Sequence, residues 1–151
     1  PGGAGDMATR LGKDGYLVGL AKAGIAADPA LIAEPAVNRA AGAEAADALL
    51  ALDSPATAIV YSVDRAAIGA YEFAKTHGLR IGRNLSVISY DGIPEGTLLD
   101  PPLSTYQVDT RKAGERLAEL LIRLIRGADP TECQELAPAH FLERGSHGAA
   151  P

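Results

Sequence analysis

The chain has 151 residues, with 14 Lys and Arg against 19 Asp and Glu and a formal net charge of −5. Hydrophobic residues make up 47% and charged residues 22%, which fits one folded domain and excludes a largely disordered chain. A lone cysteine, Cys133, excludes a disulfide framework, and the acidic balance speaks against direct nucleic-acid binding, which needs clustered Lys and Arg.

No apolar run reaches the ~18 residues that a membrane span requires. His77, His140 and His147 are too scattered for a local metal motif, so neither a metal nor another cofactor is expected. The chain opens Pro1-Gly2-Gly3 without Met or a signal-like segment, and it reads as a piece of a longer protein.

Residues 1–6 are Gly-rich and expected to be loose. A helix is expected over 7–23, with Tyr16, Leu17, Leu20 and Ala23 at helical spacing and Gly24 as its stop. Asp28-Pro29 reads as a turn and Leu31-Ile32-Ala33 as a short strand. Asn38 is placed to cap a second helix that ends near Leu52, with an inner stripe of Ala41, Ala45, Ala48, Leu49 and Leu52. Residues 57–63 are almost wholly apolar, as in a parallel strand covered on both faces.

Asp64 follows in the position of an N-cap, and the next helix runs to about His77, which is placed to cap its end before Gly78. Residues 85–90 form the next strand, completing a strand-helix-strand unit. Asp91 then opens an irregular Gly/Pro-rich loop, and residues 104–108 are extended. The clearest helix runs over 110–126, with Ala113, Leu117, Leu120, Leu121 and Leu124 on one face. One last strand is expected within 136–144, and residues 146–151 are expected to fray.

Two parallel strands thus end in aspartates, Asp64 and Asp91. Ligands of open α/β sheets bind outside the carboxyl ends of the strands. If the strands are neighbours, both carboxylates sit at that edge and can accept hydrogen bonds from hydroxyl, amine or amide groups. Asp64 equally serves as a helix cap, and Asp91 as the start of an Asx-turn. Ser62, Ser89 and Ser104 lack a nucleophile-elbow motif, Gly12-Lys13-Asp14-Gly15 lacks the spacing of a phosphate loop, and Gly2-Gly3-Ala4-Gly5 follows no strand.

The ordered series of motifs resembles LacI-type transcription regulators. Ala58-Ile59-Val60-Tyr61-Ser62-Val63-Asp64 with Ala67, Gly69 and Ala70 is similar to the family's apolar strand followed by Asn-Asp and Ala-x-Gly-Ala. Gly78 to Asp91, Leu99-Asp100-Pro101-Pro102-Leu103-Ser104-Thr105-Tyr106-Gln107 and the ending Leu142-Glu143-Arg144-Gly145-Ser146 continue the pattern. The resemblance implies an α/β fold, a parallel sheet flanked by helices of the periplasmic-binding-protein-like type I. It implies that the chain comprises the C-terminal lobe plus part of the N-terminal lobe. Residues 7–103 would be the C-terminal lobe, and 104–145 a crossover segment, an N-terminal-lobe helix and a closing strand.

It further implies a cytoplasmic regulator, not an enzyme, that binds a small-molecule effector such as a sugar or nucleoside-like compound. Operator DNA would be held by a helix-turn-helix headpiece outside this chain, and the parent protein would be a homodimer. The helix from Arg65 to His77 and the loop to Pro102 would form part of the partner surface, although Tyr71 and Phe73 also fit plain packing. Asp91 falls on the family's ligand-holding carboxylate and Gln107 on a glutamine near the cleft, with Asp64 at the same edge. Val63 replaces a frequent ligand-contacting Asn, Val37 a stacking aromatic. Gly12 takes the place of a clamping Arg: either Arg10 or Lys13 substitutes for it, or the clamp is lost. A periplasmic sugar-binding protein of a transport system shares the fold and is the alternative; an enzyme using Asp64 and Asp91 is a third reading. With half a cleft, the chain alone is expected to bind effector weakly or not at all.

Overall fold

The computed structural model of the chain describes residues 4–149. Its helices are α1 (Ala4–Lys22), α2 (Arg39–Leu50), α3 (Asp64–Thr76) and α4 (Thr110–Ile125). Its strands are β1 (Ala58–Val60), β2 (Ser86–Asp91), β3 (Ser104–Gln107) and β4 (His140–Leu142). Three short 3-10 turns cover Pro29–Leu31, Pro94–Leu98 and Pro130–Cys133. The sheet order is β1-β2-β3-β4. The β1–β2 and β2–β3 pairs are parallel, while β4 joins antiparallel at the edge, so the sheet is mixed and not purely parallel.

Alternation along the strands decides which face is covered. Ile59 and Val87 are register partners and both are buried, beneath α2 and α3. Those helices are built largely from Ala and Gly on their facing sides. A Cβ on Gly42 would lie 2.0 Å from the Ala66 carbonyl oxygen, and one on Gly69 2.0 Å from that of Arg39. The two backbones therefore touch, and Ala46, Ala66, Ala67 and Ala70 pack without a gap between them. Asn38 caps α2 through Ala41 N–H at 3.0 Å, as its position in the sequence implies. His77 closes α3, its Nδ1 2.9 Å from the Phe73 carbonyl oxygen and its ring stacked on Phe73.

Several expectations need correction. The strand over 57–63 shortens to three residues, and only one face of it is covered: Val60 is 67% exposed. Tyr90, Tyr106 and Phe141 continue that open face, Tyr106 and Phe141 with ring centroids 4.9 Å apart. Residues 31–33 form no strand, because Asp28 accepts from Ala30 N–H and Pro29 starts a 3-10 turn, leaving the run without a sheet neighbour. The inner face of α2 is set by Gly42, Ala46 and Leu49, and Ala48 faces solvent. The first helix begins at Ala4, so 4–6 are helical and not loose; residues 1–3 lie outside the described residues.

The expected fraying does not start at residue 146. Ser146 is buried, its hydroxyl donating to the Val87 carbonyl oxygen at 2.6 Å and accepting from Ser104 N–H at 2.7 Å. Gly148 N–H donates to the Ser86 hydroxyl. The tail is fixed because it satisfies polar groups that β2 and β3 would otherwise leave orphaned. By contrast α4 buries no residue: Leu117, Leu121 and Ile125 are 66%, 57% and 76% exposed. None of residues 10–22 of α1 is buried either.

Candidate functional site

The parallel pairing of β1 with β2 and β2 with β3 brings three chain segments to one edge of the sheet. Asp64 opens α3 a few residues beyond β1, Asp91 is the last residue of β2, and Gln107 is the register partner of Asp91 on β3. Asp64, Asp91 and Gln107 thus share the carboxyl edge, as expected from sequence.

Asp64 itself is fully buried. One carboxylate oxygen, Oδ1, accepts from the Thr105 hydroxyl at 2.7 Å and from the Ser89 hydroxyl. The other, Oδ2, accepts from the backbone N–H groups of Gly92 at 2.9 Å and Ile93 at 2.8 Å. Each oxygen has two lone pairs, so the internal donors use the acceptor capacity of the group. The N-cap reading is therefore corrected: Val63 is the cap residue, extended at φ −146, and no side chain caps the helix. The Asp64 side chain turns from α3 into the sheet because the two hydroxyls and two amides converge there.

Asp91 differs in every respect. It is half-buried, and it adopts φ 126, a conformation that L-residues rarely take. Burial raises its pKa above the usual carboxylate range, the charge of Asp64 raises it further, and a hydrogen bond from the Asp64 backbone partly offsets both. Gly92 follows at φ +79, and a Cβ there would lie 2.6 Å from Gln107 Cγ. The missing side chain lets exposed Gln107 lie against the turn that carries Asp91. One acceptor carboxylate and one side-chain amide, which both donates and accepts, are together suited to hydroxyl or amide groups of a small polar ligand.

The other sequence candidates lie apart from this pair in character. Val63 is partly buried and packs against the hydrophobic core. Val37 is 61% exposed just ahead of α2. Arg10 is on α1 and is exposed, and the charge acting on Asp91 is that of Asp64. Among the described residues no group of three His, Cys, Asp or Glu is placed to hold a metal ion. Asp64 has no acceptor left over for a substrate proton, which removes one member of the acid/base pair considered above.

Sequence reasoning missed Ser89, Thr105 and Gly92. A signal existed for the first: Ser89 sits two residues after buried Val87, on the inward face of an apolar strand, and a buried hydroxyl there needs a partner. Beside the site, a groove of about 380 Å³ runs between the starts of α2 and α3 and the loop after β2, lined by Arg39, Arg65, Ile68, Ile93 and Glu95.

Comparison with known proteins gives this geometry its lineage. A family described as periplasmic binding protein-like domain matches residues 3–147. The HTH-type transcriptional repressor CytR of Escherichia coli K12 is 34% identical over 137 residues, which are 91% of this chain and 40% of that protein. The lactose operon repressor of Rhizobium radiobacter is 36% identical over 105 residues, 70% of this chain and 92% of that sequence. A putative transcriptional regulator from Yersinia pestis superposes with a TM-score of 0.82 at 30% identity, over 91% of this chain and 49% of that one. The chain thus spans about 40% of the length of the first of these relatives. From its mixed α/β sheet and these matches, the chain belongs to the periplasmic binding protein-like domain family, and within it to the LacI-type regulators.

Proposed function

We propose that this chain is the ligand-sensing part of a LacI-type regulator, and that a small polar effector, a sugar or similar metabolite, contacts the carboxyl edge of its sheet. The observation that carries this is the contrast at that edge: Asp64 is consumed by internal hydrogen bonds, while Asp91 and Gln107 remain accessible beside it. Asp91 supplies the acceptor, Gln107 the amide. Val63 and Val37 add apolar contact, and Arg10 stands in for the clamp. Operator DNA is bound by a headpiece outside this chain, and the regulator acts in the cytoplasm. The chain itself performs no catalysis.

An effector shifts a regulator only by binding one arrangement of lobes better than another. Asp91 on one wall, holding a ligand that also touches the second lobe, provides that difference. Residues 7–103 form the C-terminal lobe, and α4 belongs to the other lobe, which accounts for its uncovered leucines. Homodimerisation uses α3 and the loop to Pro102. The groove between α2 and α3 carries Arg39 and Arg65 beside Glu95, and such mixed charge suits a two-fold contact of like surfaces. Tyr71 ties α3 to that loop, its hydroxyl donating to the Pro101 carbonyl oxygen at 2.8 Å.

The test is an NMR titration of the chain with D-ribose and with lactose, in wild type and Asp91→Asn. Weak, millimolar binding is expected with at least one of them, with amide shifts at Asp91, Gly92 and Gln107 that the variant loses. Shifts elsewhere, shifts unchanged in Asp91→Asn, or no shift at these residues with either sugar contradict the proposal.

A further inference from the structure

Resting on the reading that Asp91 faces the ligand, we infer that Asp64 is the positioning residue of the site: its buried carboxylate clasps the two amides after Asp91 and so sets the direction of the Asp91 carboxylate. No sugar reaches Asp64, because it is fully buried and four donors from three segments already occupy it. Two of those donors, Gly92 N–H and Ile93 N–H, are the next two amides along the chain from Asp91.

Successive amides aimed at one carboxylate oxygen require a sharp turn. Asp91 at φ 126 and Gly92 at φ +79 are that turn. A residue with a Cβ is disfavoured at this φ, and the clasp supplies the compensating interaction. The other oxygen is anchored to Ser89 within β2 and Thr105 within β3, both buried, so the clasp is referenced to the rigid sheet and not to a loop. The position of Gln107 follows as well, since it lies against Gly92.

Two variants of the full chain separate positioning from plain structural support. In Asp64→Asn the amide oxygen keeps accepting from Gly92 and Ile93, and the NH₂ donates to the Ser89 and Thr105 hydroxyls, which can accept as well as donate. The hydrogen bonds survive and the charge is gone. By ¹³C NMR of the side-chain carboxyls, Asp91 is expected to titrate at lower pH than in wild type, with Gly92 and Ile93 amides still protected from exchange. In Asp64→Ala the same two amides are expected to exchange faster, their acceleration exceeding that of the Val87 amide by about tenfold or more.

An Asp91 midpoint unchanged by Asp64→Asn overturns the inference. So does a folded Asp64→Ala variant in which Gly92 and Ile93 accelerate no more than Val87, since the loss is then global and the turn is not specifically held. If Asp64→Ala does not fold, the Asp91 titration in Asp64→Asn decides alone. No ligand enters these measurements, so their failure leaves the ligand reading standing, and failure of the sugar titrations leaves the clasp standing.

Discussion

The ends of β1 and β2 present the same residue type in opposite states. At the first, Asp64 is sealed inside, meeting donors from β2, β3 and the following turn. At the second, Asp91 is half-open, bent into an unfavourable backbone conformation and held at a raised pKa. The difference teaches that an aspartate at a strand end is not by itself a ligand contact. Its role depends on how many donors its neighbours aim at it. A filled carboxylate is architecture; one placed beside it, at a cost in strain and repulsion, is available for binding.

The sharpest way to break the contrast is Asp64→Ala. It strands two part-buried amides and two buried hydroxyls, and chemical denaturation should show a loss of about 3 kcal/mol or more, or no folded protein. Gly92→Ala comes next. It forces a Cβ into Gln107 at a positive φ, and about 2 kcal/mol of destabilisation is expected by the same measurement. Thr105→Val keeps shape and removes one donor to Asp64; about 1 kcal/mol should be lost.

Asp91→Asn should act in the opposite direction. It removes the like charge beside Asp64 at a solvent-screened position, and a gain of up to about 0.5 kcal/mol is expected at neutral pH. The sign follows from proton linkage. A raised pKa in the folded state means that the native chain holds its proton longer than the unfolded chain does. The stability tied to protonated Asp91 is complete below the ordinary carboxyl value of 3.8 and is lost as pH rises through the raised value. The advantage of Asp91→Asn over wild type should therefore fade on acidification below that window, a result that paired thermal melts would read. An Asp91→Asn variant less stable than wild type at neutral pH would erase the contrast between the two strand ends.

Much of this edge was legible in the sequence because β2 and the helix before it carry local signals. Asn38, the strand over 85–90 and Gly78 after α3 all agree with the fold they enter. The family resemblance puts both Asp91 and Gln107 at the cleft, and the parallel register of β2 with β3 sets them side by side. What could not be read were the partners of Asp64: three of its four donors come from residues 25 to 29 positions away and one from 41. Such a cluster has no local spacing. The cap position of Asp64 looked sufficient in itself, yet the stronger nonlocal set of donors prevailed over the helix end.

The apolar faces were misjudged for a related reason. The run around β1 implies cover on both sides, but α2 and α3 cover only one, and Val60 faces outward. The leucine stripe of α4 likewise implies a covering neighbour, and no described element buries it. Hydrophobic periodicity states that a face needs a neighbour and does not state which segment supplies it.

The part Asp91 plays is decided by what touches its carboxylate. A crystal structure of the chain soaked in D-ribose or lactose tests this directly. The prediction is a sugar hydroxyl hydrogen-bonded to the Asp91 carboxylate and near Gln107, with Asp64 keeping its hydrogen bonds to Ser89, Thr105, Gly92 and Ile93. A sugar seated at another surface with Asp91 untouched, or one that displaces those donors and binds Asp64 itself, would contradict it.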